Sequence, residues 1–262
     1  MPWKNSWFQI AILVLLVSGG LLVWDLAHNA STDSGWTSIF HRAPKQPAWQ
    51  SACPASLNPL PTTLTPSSDV SSELAQGKAA AGRRNYTQAM KWYKKAAGQG
   101  DSEADVAIAI LYSQGLGVPK DSAEAMGWLR AAAARDDPQA DLMIGYDYEN
   151  GIDVARDPAY AMKWYQAAAA LGDVNAEDEV GGHYQDGQGV PQDYAAAMCW
   201  YQKAAAQGTA EAENNIGNLY ANGWGVPKDA AAAVQWYQKA AAQGYQPAKQ
   251  ALVKLQAGGP QQ

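Results

Sequence analysis

The chain has 262 residues, 47% of them apolar and 17% charged, with a net charge of −6. It is too apolar to be disordered throughout and too acidic for a nucleic-acid binder, which normally carries a basic stripe. Two cysteines exclude a disulfide framework and a four-thiolate zinc site, and three scattered histidines leave little for imidazole chemistry.

The run Trp7–Trp24, WFQIAILVLLVSGGLLVW, is eighteen residues without a charge. As a helix it spans roughly 27 Å, close to the ~30 Å hydrocarbon core of a bilayer. Trp3, Trp7 and Trp24 flank it, as interfacial tryptophans do. Residues 1–27 are therefore predicted to be an N-terminal transmembrane helix acting as a signal-anchor. A cleaved signal peptide is the competing reading, with Lys4 in its basic region. However, Asp25-Leu26-Ala27 and His28-Asn29-Ala30 are poor cleavage sites, and cutting after Ser18-Gly19-Gly20 would leave LLVW at the new terminus. Lys4 before the span, with Asp25 and Asp33 after it, directs the C-terminal bulk outward across the membrane. Residues 28–70 are rich in Pro, Ser and Thr and show no apolar period, so they are predicted to be a disordered linker, with an r.m.s. span of roughly 35–40 Å if coiled.

Beyond residue 76 the sequence repeats every 36 residues. Trp92, Trp128, Trp164, Trp200 and Trp236 keep that spacing, as do Ala104, Ala140, Ala176, Ala212 and Ala248. A third column, Asn85, Asp121, Asp157, Asp193 and Asp229, reads as helix N-caps, with Pro158 at the first helical position after Asp157. Small alanines and the tryptophan then follow at spacings that share one helix face, so the tryptophan is expected in the core. Gly100, Gly172, Gly208 and Gly244 close this helix as left-handed caps, with Asp136 in their place once. Asp101, Asp137, Asp173 and Thr209 cap a second, shorter helix, as in Ala212–Tyr220, and a glycine turn such as Gly115–Asp121 leads back to the longer one. A helix pair of this kind cannot bury its apolar face alone; stacked, such pairs form an α-solenoid.

The pattern A-x-x-x-L-G-x-x-Y-x-x-G-x-G-V-x-x-D-x-x-x-A-x-x-W-x-x-x-A-A-x-x-G resembles the SEL-one-like repeat, a branch of the tetratricopeptide superfamily. Four full copies cover 104–139, 140–175, 176–211 and 212–247; residues 71–103 look like a tetratricopeptide pair, and 248–262 hold a capping helix and tail. The resemblance covers about 70% of the chain. It implies an all-α, right-handed α-solenoid of stacked antiparallel helix pairs. It also implies an adaptor that binds other proteins, without catalytic residues, cofactor or metal, at the bacterial inner membrane with the solenoid in the periplasm or outside. A secreted effector, or an enzyme-like cell-wall or β-lactam-related envelope protein with a cleaved leader, is the alternative. The cysteine-rich branch linked to β-lactams carries paired cysteines in each repeat, and this chain does not. No phosphate loop, nucleophile elbow, HExxH or paired-cysteine zinc motif is present.

Departures from the repeat are informative. The turn Gly151-Ile152-Asp153-Val154-Ala155 lacks the middle glycine of its siblings, and Asp153 is expected to take the left-handed conformation instead. His183 stands where Leu111 and Leu219 stand and reads as a structural histidine. Cys199 is expected to be exposed, where a disulfide to Cys53 would be open to it. If family geometry holds, the positions between core residues on the shorter helices line the concave side. Asp105, Asp141, Glu177 and Glu213 then form an acidic line there. Beside it run Val106, Leu142, Asp178 and Asn214, and then Ile110, Tyr146 and Asn218. These residues are the expected partner-binding surface, suited to a basic or amphipathic protein segment.

Overall fold

An aspartate or asparagine that takes up an orphan backbone N–H opens eight of the eleven described helices. Asn85, Asp121, Asp157, Asp193 and Asp229 each accept from a backbone N–H two or three residues on, and so do Asp101, Asp137 and Asp173. Thr209 differs, since its hydroxyl donates back to the Ala204 carbonyl at 2.9 Å and leaves the following helix without a side-chain cap. Gly100, Gly172, Gly208 and Gly244 lie at φ near +90°, and Asp136 at +58° keeps the left-handed place in their column.

The computed structural model describes residues 68–257, and these form α1 (Ser68–Gly82), α2 (Tyr86–Ala97), α3 (Ser102–Gln114), α4 (Ser122–Ala133), α5 (Pro138–Asn150), α6 (Pro158–Ala170), α7 (Val174–Asp186), α8 (Tyr194–Ala206), α9 (Ala210–Asn222), α10 (Ala230–Ala242) and α11 (Gln246–Ala257). Each helix packs mainly on the one before and the one after, as in a solenoid. Both helices of a pair have 12 or 13 residues from α2 onward, so the first is not the shorter as the sequence pattern suggested. No helix among the described residues is long and apolar enough to cross a membrane; the expected anchor (1–27) and most of the linker lie outside them.

The alanine columns are fully buried, from Ala104 to Ala248 on one side and from Ala89 to Ala233 on the other. The fully buried ring, however, is not the tryptophan. Tyr93, Tyr165, Tyr201 and Tyr237, with Leu129 in the same column, are the enclosed side chains. Of the five tryptophans before them only Trp200 is fully buried. The tyrosines reach the helix backbone itself, because a Cβ at Gly77, Gly145, Gly181 or Gly217 would lie 2.3–2.7 Å from the ring of Tyr93, Tyr165, Tyr201 or Tyr237. In the one pair where the ring is Leu129, the glycine column holds Ala109. Glycine within a helix costs stability, and here the close approach of the ring accounts for it.

Adding a methyl at Gly181 therefore has a direct consequence. Gly181→Ala should destabilise the chain by about 1–3 kcal/mol, as overpacked cores do, and the penalty should largely vanish in a Tyr201→Leu background, which recreates the Ala109–Leu129 pairing. A thermal double-mutant cycle showing the same penalty with and without the ring would contradict this account.

Candidate interaction surface

The expected acidic line is not a solvated face. Asp105, Asp141, Glu177 and Glu213 are 1%, 4%, 0% and 8% exposed, and buried Glu73 extends the column into the first pair. The carboxylates sit against the end of the second helix of their own pair, which supplies donors. Glu73 accepts from Gln99 and pairs with Lys95; Asp105 pairs with Arg135. Glu177 accepts from Gln207 at 2.8 Å and lies 3.0 Å from Lys203, and Glu213 accepts from Gln243 at 2.8 Å. Asp141 is the exception, with Leu171 in the column of Gln207 and Gln243 and Ala167 in the column of Lys203. The expectation that these four acids line a partner-binding surface is therefore corrected: a buried carboxylate must be paired, and the fold pairs three of the four.

Of the remaining expected surface residues, Val106 and Asn214 are buried. Ile110, Leu142, Asp178 and Asn218 are partly buried, and Tyr146 is 53% exposed. Asp178 accepts from Asn215 at 3.2 Å, and Asn218 accepts from the Tyr237 hydroxyl at 2.8 Å, so both are partly used within the solenoid. Ile110, Leu142 and Tyr146 are the members of the set that leave apolar surface to solvent. Cys199 is buried rather than exposed and is disulfide-bonded; the expected partner, Cys53, lies outside the described residues.

A polar network runs through the middle pairs. The Tyr165 hydroxyl donates to Glu149 at 2.6 Å, and the other oxygen of Glu149 faces His183 Nε2 at 3.5 Å, too long for a good hydrogen bond but close for charges. His183 Nδ1 meets the Gln188 carbonyl at 2.8 Å and so carries a proton, which leaves Nε2 to bear the second proton toward Glu149. Burial works against a charged imidazole, yet Glu149 and the Gln188 carbonyl outweigh it and raise the His183 pKa above its usual 6.5. The carboxylate comes from the preceding repeat, so spacing along one helix did not reveal it.

Asp153 takes the left-handed conformation at φ +57°. In the sibling turns a Cβ at Gly117, Gly189 or Gly225 would meet the start of an earlier second helix at 2.5–2.8 Å. Asp153 cannot dock so closely. Instead its carboxylate accepts from the Ser122 hydroxyl, and a cleft of about 330 Å³ opens beside Met126, Arg130, Asp147 and Ile152. Among the described residues no cluster of His, Cys, Asp and Glu is arranged to hold a metal.

Several carboxyls bind a proton more tightly than an exposed carboxylate does. Burial, then Asp137 and Asp136, pushes Asp141 from 3.8 to about 7; burial, then Glu211, takes Asp178 to about 7; burial and Asp153 take Asp147 to about 6. Each keeps its proton in the folded chain where the unfolded chain has lost it, so stability falls as pH rises from about 4 through 7. His183 adds stability that is full below about 6.5 and is lost as pH climbs through its raised value. Glu149, held low by His183, acts oppositely, losing its contribution only as pH falls below 4.5. The thermal midpoint should therefore be lower at pH 8 than at pH 5 by at least about 5 °C, each kcal/mol being about 2–4 °C in a domain this size. Leu171→Gln should give Asp141 its missing donor, add about 1–3 kcal/mol at pH 8 and shrink that difference. A midpoint level between the two pH values would refute the assignment.

A family model described as Sel1 repeat matches five consecutive stretches, 73–101, 102–137, 138–173, 174–209 and 210–245, including the pair with the short Arg83-Arg84-Asn85-Tyr86 turn. Among solved structures the chain is similar to a Sel1 repeat protein from Oxalobacter formigenes, at 34% identity and a TM-score of 0.67, over 72% of this chain and 79% of that one. It is also similar to c5321, a protective antigen present in uropathogenic Escherichia coli strains and displaying an SLR fold, at 35% identity and a TM-score of 0.66. That match covers 71% of this chain and spans only 41% of the antigen. The immunity protein Pa5087 from Pseudomonas aeruginosa shares the fold at 24% identity and a TM-score of 0.51, over 74% of each chain. No curated protein matches the chain.

Proposed function

The chain belongs to the Sel1 repeat family, and from that premise we propose that it is a non-enzymatic scaffold for protein partners, anchored in a bacterial inner membrane by residues 1–27 with the solenoid outside. Sel1 repeat proteins are protein-interaction scaffolds. The observation that carries the reading is the unbroken stack of five matched repeats, most of whose buried carboxylates and tyrosine hydroxyls are spent on holding helices together. What remains for a partner is outward-facing surface. Ile110, Leu142 and Tyr146 form its apolar part, and Tyr146 is the most exposed large side chain of the expected set. The uncharged run Trp7–Trp24 supports the anchor.

Two measurements bear on this. A periplasmic reporter fused after Gln262 should be active and alkaline carbonate should leave the chain in the membrane, whereas release of a shorter soluble species would establish a cleaved leader and favour the secreted alternative. Crosslinking from intact membranes should recover a protein partner whose capture drops about tenfold with Tyr146→Ser; undiminished capture would place the contact elsewhere on the solenoid.

A further inference from the structure

The pairs of the solenoid serve as internal controls for one another, and one of them lacks a part. In the first pair Lys95 pairs with Glu73 and lies 5.6 Å over the Trp92 ring. In α7–α8 Lys203 lies 3.0 Å from Glu177 and 5.1 Å over Trp200. In α9–α10 Lys239 covers Trp236 at 3.9 Å while Gln243 donates to Glu213. In α3–α4 a guanidinium, that of Arg135, answers Asp105. The full unit, one lysine on both a buried carboxylate and an indole, occurs in the first pair and in α7–α8; α9–α10 divides it between Gln243 on the acid and Lys239 on the indole, and α3–α4 places Arg135 on the acid alone.

In α5–α6 the carboxylate and the indole are both present, as Asp141 and Trp164, and the cation is absent. Ala167 stands in the lysine column and Leu171 in the Arg/Gln column. Asp141 is 4% exposed and, among the described residues, has no hydrogen bond or ion pair from its side chain. Among the described residues no lysine or arginine lies over Trp164, whose ring meets that of Tyr160 edge-on at 6.0 Å between centroids, and its indole N–H is buried without an acceptor. The equivalent slots are entered from solvent, since Lys95 and Lys203 keep 60% and 38% of their side-chain surface exposed while their ammonium groups touch the acids. Asp136 and Asp137 stand close enough to influence Asp141, so the potential there is further negative.

We propose that Asp141 and Trp164 form a slot for a lysine side chain presented by a partner protein, its stem over the indole and its ammonium on the carboxylate, as Lys203 sits on Trp200 and Glu177. A cation over an aromatic face beside a carboxylate gains from both. The occupant's chemistry is read from the first pair and from α7–α8, where a lysine of the chain itself makes both contacts. The protein source of the lysine rests on the scaffold reading; the slot does not.

The test uses the full-length chain in detergent, with Nα-acetyl-lysine methylamide as probe and its norleucine counterpart as control. The indole N–H signal of Trp164, identified by its loss in Trp164→Phe, should shift saturably with the lysine probe and not with norleucine. That of Trp200 should not move. Ala167→Lys fills the slot from within, should raise the thermal midpoint and should weaken the probe at least tenfold; Asp141→Asn should weaken it likewise. Probe binding undiminished in a folded Ala167→Lys variant, or an equal response to norleucine, would overturn the slot. A partner recovered from membranes that binds Ala167→Lys as well as the parent chain also overturns it while leaving the scaffold reading standing. A probe that binds the parent but not Ala167→Lys supports the slot even where no partner is captured, and in that case the scaffold reading fails alone.

Discussion

A tyrosine ring pressed onto bare helix backbone at a glycine sets how closely the two helices of a pair can stand. With ring carbons 2.3–2.7 Å from where a Cβ would be, no larger residue fits. At that spacing alanine is large enough to fill the rest of the interface, and the alanine columns are accordingly buried. The hydroxyls of Tyr165, Tyr201 and Tyr237, carried to the far side of the first helix, find acceptors in Glu149, Gln185 and Asn218. The neighbouring tryptophan is left at the margin of the pair, where one face of it meets lysine or solvent.

The same spacing explains why acids can sit inside. A carboxylate on the first helix is enclosed by the second, and taking it out of water is costly unless donors surround it. Asp105 and Glu177 are raised by burial even though Arg135 and Lys203 pull them down, so the ion pairs only partly offset desolvation. These pairs act more as registration marks between helices than as sources of stability. His183 and Glu149 tie one repeat to the next and, with the imidazole raised and the carboxyl lowered, also stabilise the fold.

Much of this was legible in the amino-acid order. The cap column, the left-handed positions and even the two aspartates that replace glycine in them follow from backbone chemistry that needs no partner. The burial of the acids was not legible. A carboxylate recurring every 36 residues looks solvated, because Asp and Glu are seldom enclosed unpaired, and their partners occupy a column that changes identity through Gln99, Arg135, Leu171, Gln207 and Gln243. Tyr and Trp adjoin each other, so period alone could not say which ring faces inward; the glycine that accompanies each Tyr, and is alanine opposite Leu129, was the available signal. Cys199 shares its column with Lys91, Gly127, Lys163 and Gln235, residues that suit an exposed position, although its own small side chain is compatible with burial.

The glycine and the ring that fills its place lie within one repeat, as do the buried acid and its donor. The turn glycines instead dock on the helix start of the preceding unit, Gly117 on Tyr86 and Thr87, Gly189 on Pro158 and Ala159, Gly225 on Tyr194 and Ala195. A unit copied or excised whole would therefore bring its helix-pair interior with it and face its compatibility requirements at the junctions between repeats, where the turn glycines dock, His183 faces Glu149 and Asn215 donates to Asp178. The junction between Asp153 and Ser122 is the least tightly fitted of the series, and it is the seam at which a unit of foreign sequence could be spliced in with the least repacking.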